Sequence, residues 1–415
     1  MSIEQIWSAV LPQARWFQGK GLSLDSISLR PLAWYTTNPQ AWVRSELIEA
    51  KMGKTSQTYH VLVGYLPPGT GESDALIGRY DLPQRGLVDV VDACRSGIAM
   101  QAFLTAISSG TPGMNWVANP VDPGQRTEVF SAEQSNTTVL IGEQVLFKVI
   151  RRVFSGRNPE VELLAGLNGS GVTPQLFGTL STPDGSYDLG LFSQRITESI
   201  DGWDYCVHAC RQNKSVVDQM TALGSTLQHL HACLAQAFGR TITDSSQISE
   251  RMLARLQDGC HQIPQLDQMI EKLRSLLILP PGETETQRVH GDFHLGQTLL
   301  SPQGWTIIDF EGEPSKPLQD RARPYSVFSD VAGLTRSLDY VRNHHHDPES
   351  TPAQQWFAQA RSAFLTGYLG SSLAPAALTV YEIDKAVYEL IYETRNRPNW
   401  VKIPLQAIET MIRSI

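Results

Sequence analysis

The stretch His290-Gly291-Asp292-Phe293-His294-Leu295-Gly296-Gln297, followed by Thr298-Leu299-Leu300, Ser301-Pro302-Gln303-Gly304 and Trp305-Thr306-Ile307-Ile308-Asp309-Phe310-Glu311-Gly312-Glu313, decides how the chain is read. Ser301 to Gly304 is a four-residue turn signal, and the β-branched run Trp305 to Ile308 is a strand that delivers Asp309 at its end. One hairpin therefore joins two acidic loops. Two histidines, two aspartates, two glutamates and an amide surround it, more than solvated turn chemistry requires.

Transfer of a phosphoryl group to a hydroxyl needs three things in order along such a hairpin. A carboxylate orients the attacking O–H and takes its proton, an amide a few residues on holds a metal ion, and a further carboxylate on the next strand bridges metal and phosphates. Asp292, Gln297 and Asp309 stand in that order, with Glu311 either a further metal ligand or a group behind Asp309. Upstream, Lys148 lies in the apolar strand Val145 to Ile150, where a buried ammonium needs an anion; ATP phosphates would supply one. Glu162, on the helix expected after Asn158-Pro159, is the carboxylate assigned to pair with it. The preceding loop, Gln134-Ser135-Asn136-Thr137-Thr138, has no glycine, but its hydroxyls, amides and backbone N–H groups can donate to phosphate. Gln194 to Ile196 end the strand whose backbone would meet adenine.

The string His290-Gly291-Asp292-x-His294 followed by an amide and then Ile308-Asp309-Phe310-Glu311 resembles the aminoglycoside-phosphotransferase-like branch of the kinase fold. The longer matches resemble bacterial maltokinases: Glu133 to Thr137, His290 to Gln297, Ile308 to Pro314, Arg321-Ala322-Arg323-Pro324, and Tyr388-Glu389-x-x-Tyr392-Glu393 with Asn396-Arg397-Pro398-x-Trp400. Gln297 stands where the wider superfamily has Asn, a departure shared by the maltokinase-like group. The resemblance implies an α+β, bilobal, eukaryotic-protein-kinase-like fold with an N-terminal sheet-rich cap (1–110), a nucleotide-binding intermediate subdomain (111–196) and a mainly helical C-terminal lobe (197–415). It also implies ATP and Mg2+ as cofactors and phosphorylation of maltose to maltose 1-phosphate, feeding α-glucan (glycogen) synthesis. A trehalose-to-maltose isomerase would then be a separate partner. Glucosamine, phosphorylated by a related group, is the alternative acceptor, and a non-catalytic nucleotide-binding pseudokinase is the alternative of another class.

The acceptor side is expected on the helix 376–396, where Lys385, Tyr388, Glu389, Tyr392 and Asn396 share one face by helical spacing. Tyrosine rings cover the apolar face of a pyranose and charged groups take its hydroxyls. Lys385, Glu389 and Tyr392, with Asp292 and His294, are the substrate-binding candidates. An amino sugar would call for an extra unpaired carboxylate, a part open to Glu389 or Glu393.

Composition agrees. The formal net charge of −8 disfavours a nucleic-acid partner. The absence of a basic and apolar leader and of a long apolar run suggests a cytoplasmic protein without a membrane span. Five cysteines without a Cys-x-x-Cys pair suggest free thiols. The remaining elements are read as a helix over 4–15, strands at 26–30, 41–50 and 58–65, a helix over 87–109, and helices at 202–212, 216–237, 247–277, 331–340 and 353–370. Asp330 is expected as a helix cap, His229 and His231 as solvated or capping, and His344-His345-His346 as an exposed loop. The job of Trp16-Phe17-Gln18-Gly19-Lys20, also found in maltokinase caps, is left open.

Overall fold

The computed structural model describes residues 2–130, 135–313 and 316–413, and it separates into two compact units. The first runs to Ala165 and takes in Pro174–Thr197; the second comprises Gly166–Thr173 and Glu198–Ile415. The short 166–173 segment belongs with the second because Ile307 N donates to Val172 O at 2.8 Å.

The first unit holds two antiparallel sheets. After helix α1 (Ile3–Val10), strands β1 (Ser26–Thr37), β2 (Trp42–Met52), β3 (Thr55–Leu66), β4 (Leu76–Leu82) and β5 (Gly86–Asp92) form a sheet in the order β1-β2-β3-β5-β4. Helix α2 (Gly97–Ser108) follows. Strands β6 (Met114–Trp116), β7 (Thr127–Phe130), β8 (Thr137–Ile141), β9 (Val145–Val149), β11 (Leu176–Ser181) and β12 (Asp188–Gln194) form the second sheet, ordered β6-β11-β12-β9-β8-β7. The two-residue β10 (Arg152–Val153), directly after β9, leaves that sheet and pairs with β3. Helix α3 spans Pro159–Gly166.

Two expectations are corrected here. Residues 87–109 are not one helix: Leu87-Val88-Asp89-Val90-Val91-Asp92 is β5, a β-branched run buried between β3 and β4, and the helix begins only after Ser96, whose Oγ accepts from Ala99 N. The first helix stops at Val10, because Pro12 turns Leu11–Gln13 into a single 3-10 turn. The glycine-bearing loop after β3 is turn structure, its Gly69 and Gly71 amides donating to Asp89.

The second unit is mainly helical: α4 (Gly202–Arg211), α5 (Val217–Phe238), α6 (Ser245–Cys260), α7 (Pro264–Leu276), the one-turn α8 (Leu318–Arg321), α9 (Phe328–Arg342), α10 (Thr351–Leu369), α11 (Ala376–Asn396) and α12 (Lys402–Arg413). Between them lie the short strands β13 (Ile200–Asp201), β14 (Arg240–Asp244), β15 (Glu283–Gln287), β16 (Thr298–Ser301) and β17 (Gly304–Ile307), the last two being the hairpin read from sequence. Apolar positions three and four apart put Leu223, Leu227, Leu230 and Leu234 of α5 in the core. No helix among the described residues is long and apolar enough to cross a membrane.

Candidate active site

The second unit brings the two acidic loops together. Gly291 adopts φ +86°, a left-handed turn that L side chains disfavour, and it swings Asp292 out between His290 and His294. His290 ties this loop to the hairpin: its Nε2 donates to Ile308 O at 3.0 Å, while Nδ1 accepts from Asp292 N at 3.4 Å. Asp309 also has positive φ, +63°, which aspartate tolerates better than most residues. Gln297 Nε2 donates to Asp309 Oδ2 at 3.1 Å, and carboxylate oxygens of Asp309 and Glu311 lie within 4.8 Å of one another. The carboxylates of Asp309 and Glu311 are hard oxygen donors of the kind Mg2+ prefers, while Gln297 meets Asp309 through its NH2 group.

Lys385 Nζ, from α11, lies 3.3 Å from Asp292 Oδ1. Burial alone would raise the Asp292 carboxyl, but the Lys385 ammonium foremost holds it below the ordinary carboxylate range. Burial lowers His294, so its ring is neutral; Nδ1 accepts from Gly296 N at 3.1 Å, which leaves the proton on Nε2.

Above Asp292 opens a pocket of about 450 Å³. Trp203, Tyr340, Tyr388, Tyr392 and Trp400 supply aromatic walls, and Asp292, His294, Lys385, Glu389, Glu393 and Arg397 supply its polar groups. Every carboxylate facing it has a cation in contact: Asp292 has Lys385, Glu389 has Arg336 at 2.9 Å, and Glu393 has Arg397 at 2.6 Å. Neither Glu389 nor Glu393 is therefore the unpaired carboxylate that an amino sugar would call for. The bonds that bind them come from Arg336 on α9 and from Arg397 one turn on. His344 is also corrected: its ring packs edge-on against Trp203 and Trp400 instead of lying in an exposed loop.

Asp330 was expected to cap α9 but sits within its first turn, 1% exposed, accepting from His290 N (2.8 Å) and Gly291 N (2.9 Å). His231, expected to be solvated or capping, is buried between Asp330 Oδ2 at 3.0 Å and Tyr368 Oη at 2.8 Å. Both residues brace the His290–Gln297 loop from behind. Their partners lie 39 or more residues away in sequence, so no local signal marks them.

In the first unit, strand alternation sorts Lys148 from its neighbour. Phe147 enters an aromatic core, stacked at 4.2 Å on Phe192 and 5.6 Å from Phe103, and Lys148 projects to the other face. The carboxylate against Lys148 is Glu160, at 2.8 Å, which corrects the assignment to Glu162. Asn158 Oδ1 accepts from Glu160 N, so the helix starts one residue before Glu160 and turns it inward; Glu162, two residues on, is half-buried. Ser135 is exposed, whereas Asn136 is buried with Oδ1 accepting from Arg151 N at 3.0 Å. Gln134 lies outside the described residues. Gln194 N and Arg195 N donate to Gln175 O and Gln144 O, and Ile196 beyond them is half-buried.

Comparison with known proteins places this geometry. Residues 126–364 match the model of the phosphotransferase enzyme family, and residues 11–95 match that of the maltokinase N-terminal cap domain. A glucosamine kinase from Streptacidiphilus jiangxiensis is 28% identical over 313 residues, 66% of this chain and 70% of that protein. One from Mycolicibacterium smegmatis is 26% identical over 330 residues, 72% of this chain and 82% of that protein. The solved structure of a glucosamine kinase in complex with glucosamine, ADP and inorganic phosphate superposes with a TM-score of 0.73 at 21% identity, covering 99% of both chains. The fold is thus the kinase-like α+β fold, with a sheet-rich N-terminal part and a helical C-terminal part.

Proposed function

Because the chain belongs to the phosphotransferase enzyme family, we propose that it is an ATP-dependent sugar kinase whose acceptor is maltose, phosphorylated at the anomeric hydroxyl. The observation that carries the choice of a neutral sugar is the charge balance of the pocket over Asp292, where each carboxylate already faces a cation. A cationic amino sugar would find no unbalanced carboxylate there, whereas hydroxyls can bond to both partners of each pair. A pocket of about 450 Å³ with five aromatic rings also offers more wall than one pyranose needs, which suits two linked rings. The match of residues 11–95 to a maltokinase cap points the same way.

In this reading Asp292, ionised because Lys385 opposes the effect of burial, accepts a hydrogen bond from the anomeric hydroxyl and takes its proton as the new oxygen–phosphorus bond forms and the bond from the γ-phosphorus to the β–γ bridging oxygen breaks, releasing ADP. Lys385 and His294 fix the oxygen's position, and Tyr388 and Tyr392 lie against the rings. Gln297, Asp309 and Glu311 would hold Mg2+, which neutralises phosphate charge when bound. Lys148, oriented by Glu160, grips the ATP phosphates.

Glucosamine is the second reading, favoured by the names of the two relatives. The deciding experiment is ADP release with Mg2+ across maltose, glucosamine, glucose and trehalose, beside Asp292→Asn. Turnover on maltose that disappears in the variant supports the proposal. Turnover confined to glucosamine overturns the acceptor, and silence on every sugar overturns the kinase reading.

A further inference from the structure

We infer that Arg151 is a positioning residue for nucleotide: a buried guanidinium through which the cap holds the end of the phosphate loop and the strand of Lys148 in register. The inference rests on the kinase reading above, and it gives the Trp16–Lys20 motif a job.

Arg151 is fully buried, an uncommon state for a charged side chain unless it is paired. It stands three residues after Lys148, where the chain leaves the second sheet for the cap sheet. Contacts to five residues meet on it. Its Nη2 holds both oxygens of Asp92, at 2.9 and 3.3 Å, at the end of cap strand β5. Its Nε donates to Thr137 Oγ1 at 2.8 Å, and its backbone N donates to Asn136 Oδ1 at 3.0 Å. Its guanidinium lies 5.0 Å from the ring centroid of Trp16, the first residue of the motif. Its carbonyl accepts from His60 N at 2.7 Å, on β3.

The neighbours lock this hub. Arg152 Nη1 donates to Gln18 Oε1 at 2.5 Å, and Gln18 N donates to the hydroxyl of Tyr59, the residue paired with Arg152 across β3 and β10. Burial, and then the Arg151 charge, push His60 down to about 3, so its ring stays neutral and bridges Ile150 O and Ser45 Oγ. An apolar residue at 151 would fill the space at lower desolvation cost. What the guanidinium adds is simultaneous, directional hold on Asp92 in the cap and Thr137 at the base of the phosphate loop.

The test uses the full chain and Arg151→Met. ATP affinity is measured by calorimetry, KM for the sugar at saturating ATP, and amide hydrogen exchange by mass spectrometry over residues 135–141. Losing charged hydrogen bonds at a positioning site predicts ATP binding about 10- to 100-fold weaker, with sugar KM changed less than about 2-fold. Exchange should rise at 135–141 and not in α5. Unchanged ATP affinity, or a uniform rise in exchange with equal losses for both substrates, overturns the inference and leaves Arg151 a general stabiliser. If Arg151→Met does not fold, Trp16→Leu removes only the ring beside the guanidinium; a smaller shift in ATP affinity in the same direction supports the role and no shift overturns it. A wild-type chain that binds no ATP fails earlier and overturns the functional reading itself.

Discussion

Asp292 and Lys148 each depend on one neighbour, and each neighbour can be tested alone. Lys385 keeps the Asp292 carboxyl low against the pull of burial. With the ammonium gone, burial dominates, so Lys385→Met should move the acidic limb of the kcat/KM profile for the sugar to higher pH, whatever happens to sugar affinity. An acid limb that stays put would mean that Lys385 does not control Asp292. Glu160 and Glu162 make a matched pair of variants. Glu160→Gln leaves the Lys148 ammonium without its carboxylate and should raise KM for ATP about 10-fold or more, while Glu162→Gln should change it little. Steady-state kinetics at fixed sugar separates the two. The sequence pointed to a glutamate at the start of α3, but which of two lies inward depends on where the helix begins, and element boundaries are the least legible part of a sequence.

Helix α9 is the element that shapes the loop carrying Asp292. Gly333 lets it approach so closely that a Cβ there would sit 2.3 Å from Phe293 O, and one turn earlier Asp330 receives the His290 and Gly291 amides. The Asp330 carboxyl is raised by burial, but the His231 bond and charge, with His290 and Gly291, bring it below its ordinary value. A depressed folded-state value stabilises the protein above the unfolded-state pKa, near 4, and that stabilisation is lost as pH falls through the folded value. Asp330→Asn should therefore lower stability at pH 7 by about 3 kcal/mol and flatten the loss of stability below pH ~4, as read from urea unfolding at several pH values. It should also reduce kcat about 10- to 100-fold, since the loop carrying Asp292 loses its brace. Helix α11 was easier to read: of the five positions placed on one face by spacing, 385, 388, 389 and 392 line one pocket, while Asn396 donates its amide to Tyr392 O.

Across the whole molecule, formal charge is −8, yet the pocket over Asp292 is balanced. For a neutral acceptor KM should change less than about 2-fold between 50 and 500 mM KCl, whereas a cationic amino sugar attracted by the net charge should lose affinity as salt screens it. Measuring both acceptors across the salt series distinguishes the two readings. The sequence by itself determined the hairpin with its two acids, the helical face of α11, the strand of Lys148 and the kinase-like α+β class, because each is written in local periodicity, turn residues or short strings. Tertiary structure alone decided that Asp330 braces a loop 40 residues before it, that His231 is buried against it, that Arg336 and Arg397 pair with the pocket glutamates, and that Arg151 ties Asp92 of the cap to Thr137. These are buried polar contacts between segments far apart in sequence. Their geometry is set by which faces of distant elements meet, and no local pattern of residues records that.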